Sequence, residues 1–586
     1  MAFGKTATFA ARVGLEPRIN GIAIVGETVS IYTPFEGLPH FMEAQIAGRS
    51  DWIALTPASP MGGFEIPPQA AGCRLRVCYV RLDESDRSEG VVYSQPFGPV
   101  GLTLASPDIT VSSVTDLNAA IQNDAYSVVQ VAGGTYDGSA VVFTDRSSVP
   151  LTIQSDPLSP AVFSGEMDFS GMRSVTWKGH EHSGSATEGS ESALADTGSV
   201  LESLRITGRD ISAADAKTGD MASVNDGPWW SLDRLGNITY RGLMIYNMRG
   251  FQVNQWTTIT DVSWKYCYFD GFRAVSMAGN TVDHDFIEER VTLVGVTGVY
   301  EEESASAPHV DATQCFNTGG GLAPTIQAKG PVLRNVVEII GNTRAYSDVG
   351  DAPILQVSAG RTDDTILDGC FWSGLQSGIN SAYSSEGMVV RRSTFKRPEY
   401  GGGAVRFGSS SYKYTVGFLA DRSSYSAHGL YPDSTAYAET RDNDKTINTT
   451  FDANYRGPDT LWDVGDWMLF FVANAPKTGT DSERRGALDA NGNMIMLEER
   501  LNAPGYSTSQ TASSITVDAT AVAGAEYYLL RYREGSGGAW SLKEFSSESM
   551  TISGLSNGTE YQMQIAVSTE AAGFGRWSPV FSVTTS

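Results

Sequence analysis

The chain has little charge, little histidine, few cysteines and no long apolar run. Of its 586 residues only 19% are charged, six are histidine and five are cysteine, against 62 glycines. Scarce charge with abundant Gly, Val, Thr, Ser and Tyr argues against a helical protein and for an all-β one. The formal net charge of −25 repels phosphate backbones, so nucleic acid is not an expected partner, and anionic membranes are equally unfavourable. No stretch of about 20 apolar residues occurs, so membrane insertion is not expected. The N-terminal MAFGKTATFAARVGLEPRING lacks a continuous apolar segment of the signal-peptide kind. Export would then take another route, and release by lysis as part of a particle is one. Cys73 and Cys78 lie five apart on one apparent strand and cannot pair within it. Cys267, Cys315 and Cys370 sit in apolar strand-like contexts and read as core thiols. No disulfide framework is expected.

Several domains are expected from the length. Residues 1–104 contain short alternating runs, INGIAIVGETVSIYT and CRLRVCYVRL, with Trp52 between them and Pro67-Pro68 as punctuation. This pattern resembles immunoglobulin-like modules of bacterial surface and phage proteins and implies a β-sandwich. Next comes SVTDLNAAIQNDAYSVVQVAGGTYDG over 113–138. Leu117, Ala120 and Ile121 fall at helical spacing, Thr115 and Asp116 could cap the helix, and VVQVAGGTY then switches to strand spacing. The segment resembles the entry of right-handed parallel β-helices, in which a short amphipathic helix closes the end of the coil.

A repeat follows. YRGLMIYNM, WKYCYFDGF, VEIIGN, DGCFWSGL and RRSTFKRP are alternating apolar strands closed by Asn, Gly or Asp. Aligning Cys267–Phe269 with Leu243–Ile245, and Phe395 with Phe371, gives about 24 residues per turn, enough for three short strands. The coil is expected over 105–439. The polar segment 180–226 reads as a long projecting loop. Residues 440–503 read as a small β unit or linker; DANGN within it is a plain hairpin turn rather than a calcium loop. In 504–586, SSITVDA, AEYYLLRYREG, MTISGLSNGTEYQMQIAV and RWSPVFSVTTS resemble a fibronectin type III domain, with Tyr561 as its corner tyrosine. The fold class is therefore all-β: a right-handed parallel β-helix flanked by an Ig-like and a fibronectin type III sandwich.

A parallel β-helix presents stacked strands along which an extended polymer can lie. Trp229, Trp230, Tyr246, Trp256, Tyr346, Trp372, Tyr383 and Tyr400 are candidate sugar-stacking side chains, each equally suited to packing between rungs. In PHVDATQ, His309 and Asp311 share one strand face and could act as acid, base and orienting carboxylate; a hydrogen bond fixing a loop is the alternative. The run resembles an H-x-D-x-x-Q strand of β-helix proteins that act on or bind polysaccharide. Gln314 falls off the outward parity, so the strand is expected to turn or end there. Asp283, His284 and Asp285 upstream, and Asp348 and Asp351 downstream, could stack near His309 as acid/base partners or sugar ligands. No resident cofactor is implied, although calcium could occupy the 283–285 cluster. Lys329 and Arg344 are further Brønsted candidates without a motif. HExxH, a P-loop and GxSxG are absent from the sequence.

The whole resembles tailspikes and head spikes of phage and phage-like particles. The resemblance implies a virion-surface protein, usually trimeric, that binds host surface polysaccharide and is anchored to other particle proteins by its N-terminal module. Two other readings stand beside it: a polysaccharide lyase or glycosidase working through His309, Asp311, Asp283 and Asp285, and an exported bacterial adhesin.

Overall fold

The structure is a computed structural model. It describes residues 17–32, 40–55, 63–82, 88–189, 191–210, 227–267, 271–276, 286–296, 313–317, 327–329, 331–340, 353–358, 361–363, 365–373, 377–381, 389–396, 405–407, 418–421, 424–425, 430–432, 438–441, 494–536 and 540–586.

The centre of the chain is a parallel coil with three faces. A 22-stranded sheet bends along its length into two of them, and a 10-stranded sheet makes the third. On face 1, Val128–Val131, Leu151–Ser155, Val175–Lys178, Ala195–Glu202 and Leu235–Arg241 stack in parallel. On face 2, Gly134–Asp137, Ala161–Ser164, Glu181–His182, Arg205–Thr207 and Met244–Met248 do the same. Face 3 begins at Met167–Asp168 and runs through Ala186–Thr187, Trp229–Leu232, Gly250–Asn254, Phe272–Ser276 and Thr313–Asn317. Inward positions of all three faces meet in one core that includes Ile153, Phe163, Trp177, Ile206, Trp230, Tyr240, Phe251, Trp264 and Leu293.

The corner between faces 1 and 2 is built the same way on successive rungs. Gly179, Ser203, Gly242, Asp261, Arg290, Asn335, Gly369 and Arg392 each follow the last paired face 1 residue of their rung, and each has positive φ. One left-handed residue per rung turns the chain from one face to the next. Glycine and short polar side chains tolerate that conformation best.

The first turn of the coil is closed by helix Val114–Ile121, which buries Leu117, Ala120 and Ile121. Its cap is Ser113, two residues before Thr115, the first of the residues expected. The Ser113 side chain accepts from the Asp116 amide at 3.1 Å and donates to the Asp116 carboxylate at 2.7 Å.

Three sequence expectations are corrected. The segment 180–226 is not one loop: 181–207 supplies strands on all three sides of a rung, and residues 190 and 211–226 lie outside the described residues. Its histidines occupy the core. Trp177 Nε1 donates to His182 Nε2 at 2.8 Å, and His180 Nε2 lies 3.1 Å from the Ile153 carbonyl. Ring stacking and these bonds satisfy a segment whose composition reads as solvated. The repeat alignment also shifts. Ile245 pairs with Trp264 and Met248 with Cys267, whereas Phe395 pairs with Trp372 rather than Phe371. Finally, the turn length is not constant, because the corners absorb insertions of different size. The step is 24 residues from Ile153 to Trp177, 19 from Tyr240 to Ile259 and 45 from Glu288 to Leu333.

Two antiparallel sandwiches flank the coil. The first pairs Arg18–Asn20, Thr28–Tyr32 and Phe64–Glu65 in one sheet, and Ile53–Ala54, His40–Ile46, Cys73–Leu82 and Ser88–Tyr93 in the other. The Arg76 guanidinium lies between the rings of Trp52 and Tyr93, 4.2 and 3.9 Å from their centroids. The last sandwich sets Tyr506–Gln510, Ser514–Ala519 and Ser549–Ser553 against a sheet centred on Ala525–Glu534 and Glu560–Thr569. The Tyr561 hydroxyl accepts from the Ser556 amide at 3.0 Å, the bond of a corner tyrosine. Most of 440–503, DANGN included, lies outside the described residues. All five cysteines are free and buried.

Both sandwiches dock on the corner between faces 1 and 2. The first covers Met244, Tyr246 and Tyr266, which join its core with Val77 and Val100. The last covers Val332, Ile366 and Val389 with Tyr527, Leu529, Ala566 and Phe574. The outer coil surface carries apolar residues at these docking sites. Here those apolar positions are covered within one chain.

Candidate polymer-binding face and carboxyl pair

Docking on faces 1 and 2 sets face 3 apart, and one column of its outward positions is polar. The register aligns Asp168, Thr187, Ser231, Gln252, Arg273 and Gln314 in one column, continued by Gln356, Asn380 and Arg406. Asp168 through Arg273 are half-buried and Gln314 is 9% exposed. The alternate positions are core: Trp230, Phe251, Phe272 and Thr313. Carboxylate, hydroxyl, amide and guanidinium groups therefore repeat at the strand spacing of about 4.8 Å. Such a ladder offers donors and acceptors to an extended, hydroxyl-rich polymer. Trp229 flanks the column on an outward position with the Arg249 guanidinium 5.9 Å from its ring.

Of the residues singled out from sequence, Trp229, Trp230, Tyr246, Trp256, Gln314, Lys329 and Trp372 are described. Gln314 is the second residue of a continuing strand and sits on the outward column, which corrects the expectation that the strand ends there. Its neighbours Thr313 and Cys315 point into the core, Thr313 to buried carboxyls and Cys315 into the apolar cluster. Trp256 follows the Gly250–Asn254 strand and is half-buried. Its ring packs over Gly236, where a Cβ would come within 2.8 Å of it, so this Trp packs on the next rung rather than standing free. The backbone of Trp372 lies in register with Glu338 of the preceding rung. Of the other aromatics, Trp230 and Tyr246 are buried, the latter beneath the first sandwich. His309, Asp311, Asp283, His284, Asp285, Tyr346, Asp348 and Asp351 lie outside the described residues, as do Tyr383, Tyr400 and Arg344.

A titratable pair missed from sequence stands where face 3 turns into face 1. Glu188 follows the Ala186–Thr187 strand, and Asp233 follows Trp229–Leu232 on the next rung. Burial, then a hydrogen bond with Asp233 and the Asp233 charge, push Glu188 up to about 8. Contacts with Arg234 oppose the shift: its amide donates to Glu188 at 3.2 Å and its guanidinium approaches to 3.7 Å. The Asn254 amide holds the Asp233 carbonyl at 2.6 Å. Beneath them the Tyr240 hydroxyl is buried without a hydrogen-bond partner, and its pKa is raised by burial and by the Glu188 charge. Glu188 thus leans toward its protonated form near neutral pH, the form a general acid needs. A hydrogen-bonded carboxyl pair is closer than the roughly 5–9.5 Å separation of a glycosidase pair. The sequence signal was only TEG and LDR, two acidic turn residues 45 apart. Among the described residues, no group of three or more His, Cys, Asp or Glu side chains could hold a metal ion.

Comparison with known proteins gives the fold alone. No family model matches the chain, and no curated protein matches it. Solved fibronectin type III structures do. An FN3 domain of human collagen XX is 27% identical over 16% of this chain and 98% of its own, with a TM-score of 0.14. The FN5 domain of Drosophila Lar is 22% identical over 15% of this chain and 96% of its own, with a TM-score of 0.13. The FN1–FN3 domains of chicken CNTN1 are 20% identical over 16% of this chain and 34% of theirs, with a TM-score of 0.15. The chain combines a large parallel coil with sandwiches of the fibronectin III and Ig-like kind.

Proposed function

We propose that this protein is a surface spike or fibre component that binds a polysaccharide along face 3 of its coil. The observation that carries the reading is the unbroken polar column from Asp168 to Gln314, on the one face away from both docked sandwiches. A rigid ladder of fixed side chains binds an extended polymer at low ordering cost. Net charge −25 favours a neutral polymer, or one whose carboxylates meet Arg273 and Arg249. The resemblance of the domain order to phage and phage-like spikes supports a place on a virion surface, with the first sandwich facing other particle proteins and three copies assembling together.

A second reading is favoured by the Glu188–Asp233 pair. A carboxyl protonated at neutral pH beside a polymer ladder could protonate a leaving glycosidic oxygen. A turnover assay separates the two. The protein is incubated with capsular, neutral and uronate polysaccharides, and new reducing ends and unsaturated-product absorbance are followed for wild type, Glu188→Gln and His309→Ala. Retention of polymer without product supports the binding spike. Product that vanishes in Glu188→Gln or His309→Ala replaces it with a depolymerase.

A further inference from the structure

Three core-facing side chains from three different faces meet at one point of the coil. Glu288 comes from face 1, Glu338 from face 2 one rung later, and Thr313 from face 3 between them. Glu288, Glu338 and Thr313 are all 0% exposed. Thr313 Oγ1 lies 3.1 and 3.4 Å from the two oxygens of Glu288 and 2.7 Å from Glu338 Oε1. A hydroxyl has one proton to give. It cannot satisfy two carboxylates, and two buried like charges at this distance would repel strongly. The arrangement closes only when one carboxyl is protonated: Glu288 donates to Thr313, and Thr313 donates to Glu338, its shorter contact.

We propose that Glu288, Thr313 and Glu338 form a proton-dependent lock that fastens the Thr313–Asn317 strand to the other two faces. The strand contains Thr313 and Gln314, the last two residues of PHVDATQ, so the lock holds the end of that motif. Burial, offset by the Thr313 hydrogen bond, raises Glu288 to about 8. Among the described residues, the other titratable groups that act on the pair are the thiols of Cys315, which feels both carboxyls, and Cys370, which feels Asp368 and Glu338. Burial keeps both thiols protonated, so neither neutralises the pair. The closed form holds a proton that an opened, hydrated strand would release. Opening therefore becomes easier as pH rises from the ordinary carboxyl range to about 8, by up to about tenfold per pH unit, and levels off above.

The test is hydrogen exchange of the 313–317 amides in the full chain from pH 5 to 9, corrected for intrinsic exchange and referred to the Val175–Lys178 strand. Wild-type protection should fall by about tenfold per pH unit to about pH 8. Glu288→Gln, which keeps a donor and cannot ionise, should flatten the profile. Parallel profiles for the two proteins overturn the proposal. Should Glu288→Gln fail to fold, the infrared spectrum of Glu188→Gln decides, since that background lacks the other carboxyl raised among the described residues. A protonated-carboxyl band at pH 6 that fades by pH 10 supports the lock, and its absence at pH 6 overturns it.

Discussion

The Tyr246 hydroxyl donates a 2.6 Å hydrogen bond to Asp51, 195 residues away in the chain. Tyr246 lies on face 2 of the coil and Asp51 in the first sandwich. Lys265, one rung on, donates to the Trp52 carbonyl at 3.1 Å, and Pro68 packs against Gly242 at the corner. The first sandwich is seated on the coil by specific polar contacts over an apolar patch.

Tyr246→Phe removes that bond and leaves the ring packing. A hydrogen bond to a charged group contributes about 1.5–3 kcal/mol, so the sandwich should separate at lower denaturant while the coil melts unchanged. Domain-resolved unfolding, with Trp52 fluorescence set against far-ultraviolet dichroism, checks this. Simultaneous loss of both signals at one lowered midpoint would show instead that the two units unfold as one.

The last sandwich is held by buried arginines. Arg391 donates to the Thr569 carbonyl at 3.1 Å and pairs with Glu526, and Arg334 donates to the carbonyls of Glu498 and Ala572 at 2.6 and 2.7 Å. Breaking a buried ionic contact from one side costs about 3–5 kcal/mol. Arg391→Met should release the sandwich, expose Val332, Ile366 and Val389, and increase binding of an apolar dye while the coil's dichroism persists. Unaltered dye binding would place the docking energy in the apolar patch alone.

Acid should weaken the coil through its histidines. Burial lowers His182 to about 3, and burial with the His182 charge holds His180 well below its usual range. Both are neutral when folded and take up protons when unfolded below about 6.5. Their contribution is therefore present above that pH and is lost as pH falls toward 3, by up to about tenfold per pH unit for each histidine. His182→Gln keeps an acceptor for Trp177 and should reduce the acid dependence between pH 6 and 4. An unchanged slope would place the acid-labile group elsewhere.

The architecture was legible in sequence because its signals are local. Leu117, Ala120 and Ile121 mark the capping helix by spacing, the alternating runs mark strands, and SNGTEY marks the Tyr561 corner. Register was not legible. A coil with turns of 19 to 45 residues has no fixed period, and a one-residue slip moves every side chain to the other face. That is how Gln314 was assigned to the wrong parity. Buried polar residues misled further: His180 and His182 made a core rung look like a loop. Glu188, Asp233, Glu288 and Glu338 carry the raised or paired carboxyls, yet their partners lie 25 to 50 residues away and no short motif links them.

The measurement that tests the central claim most directly is polysaccharide binding by face variants of the whole chain. Gln252→Ala and Ser231→Tyr alter the face 3 column, the second by filling it, and Thr152→Ala and Thr176→Ala alter an outward column of face 1. Binding to immobilised capsular and neutral polysaccharides should fall at least about tenfold for Ser231→Tyr, the loss of one or two good contacts, and stay unchanged for the face 1 variants. Equal binding by all four variants and wild type would contradict the account and remove face 3 as the polymer site.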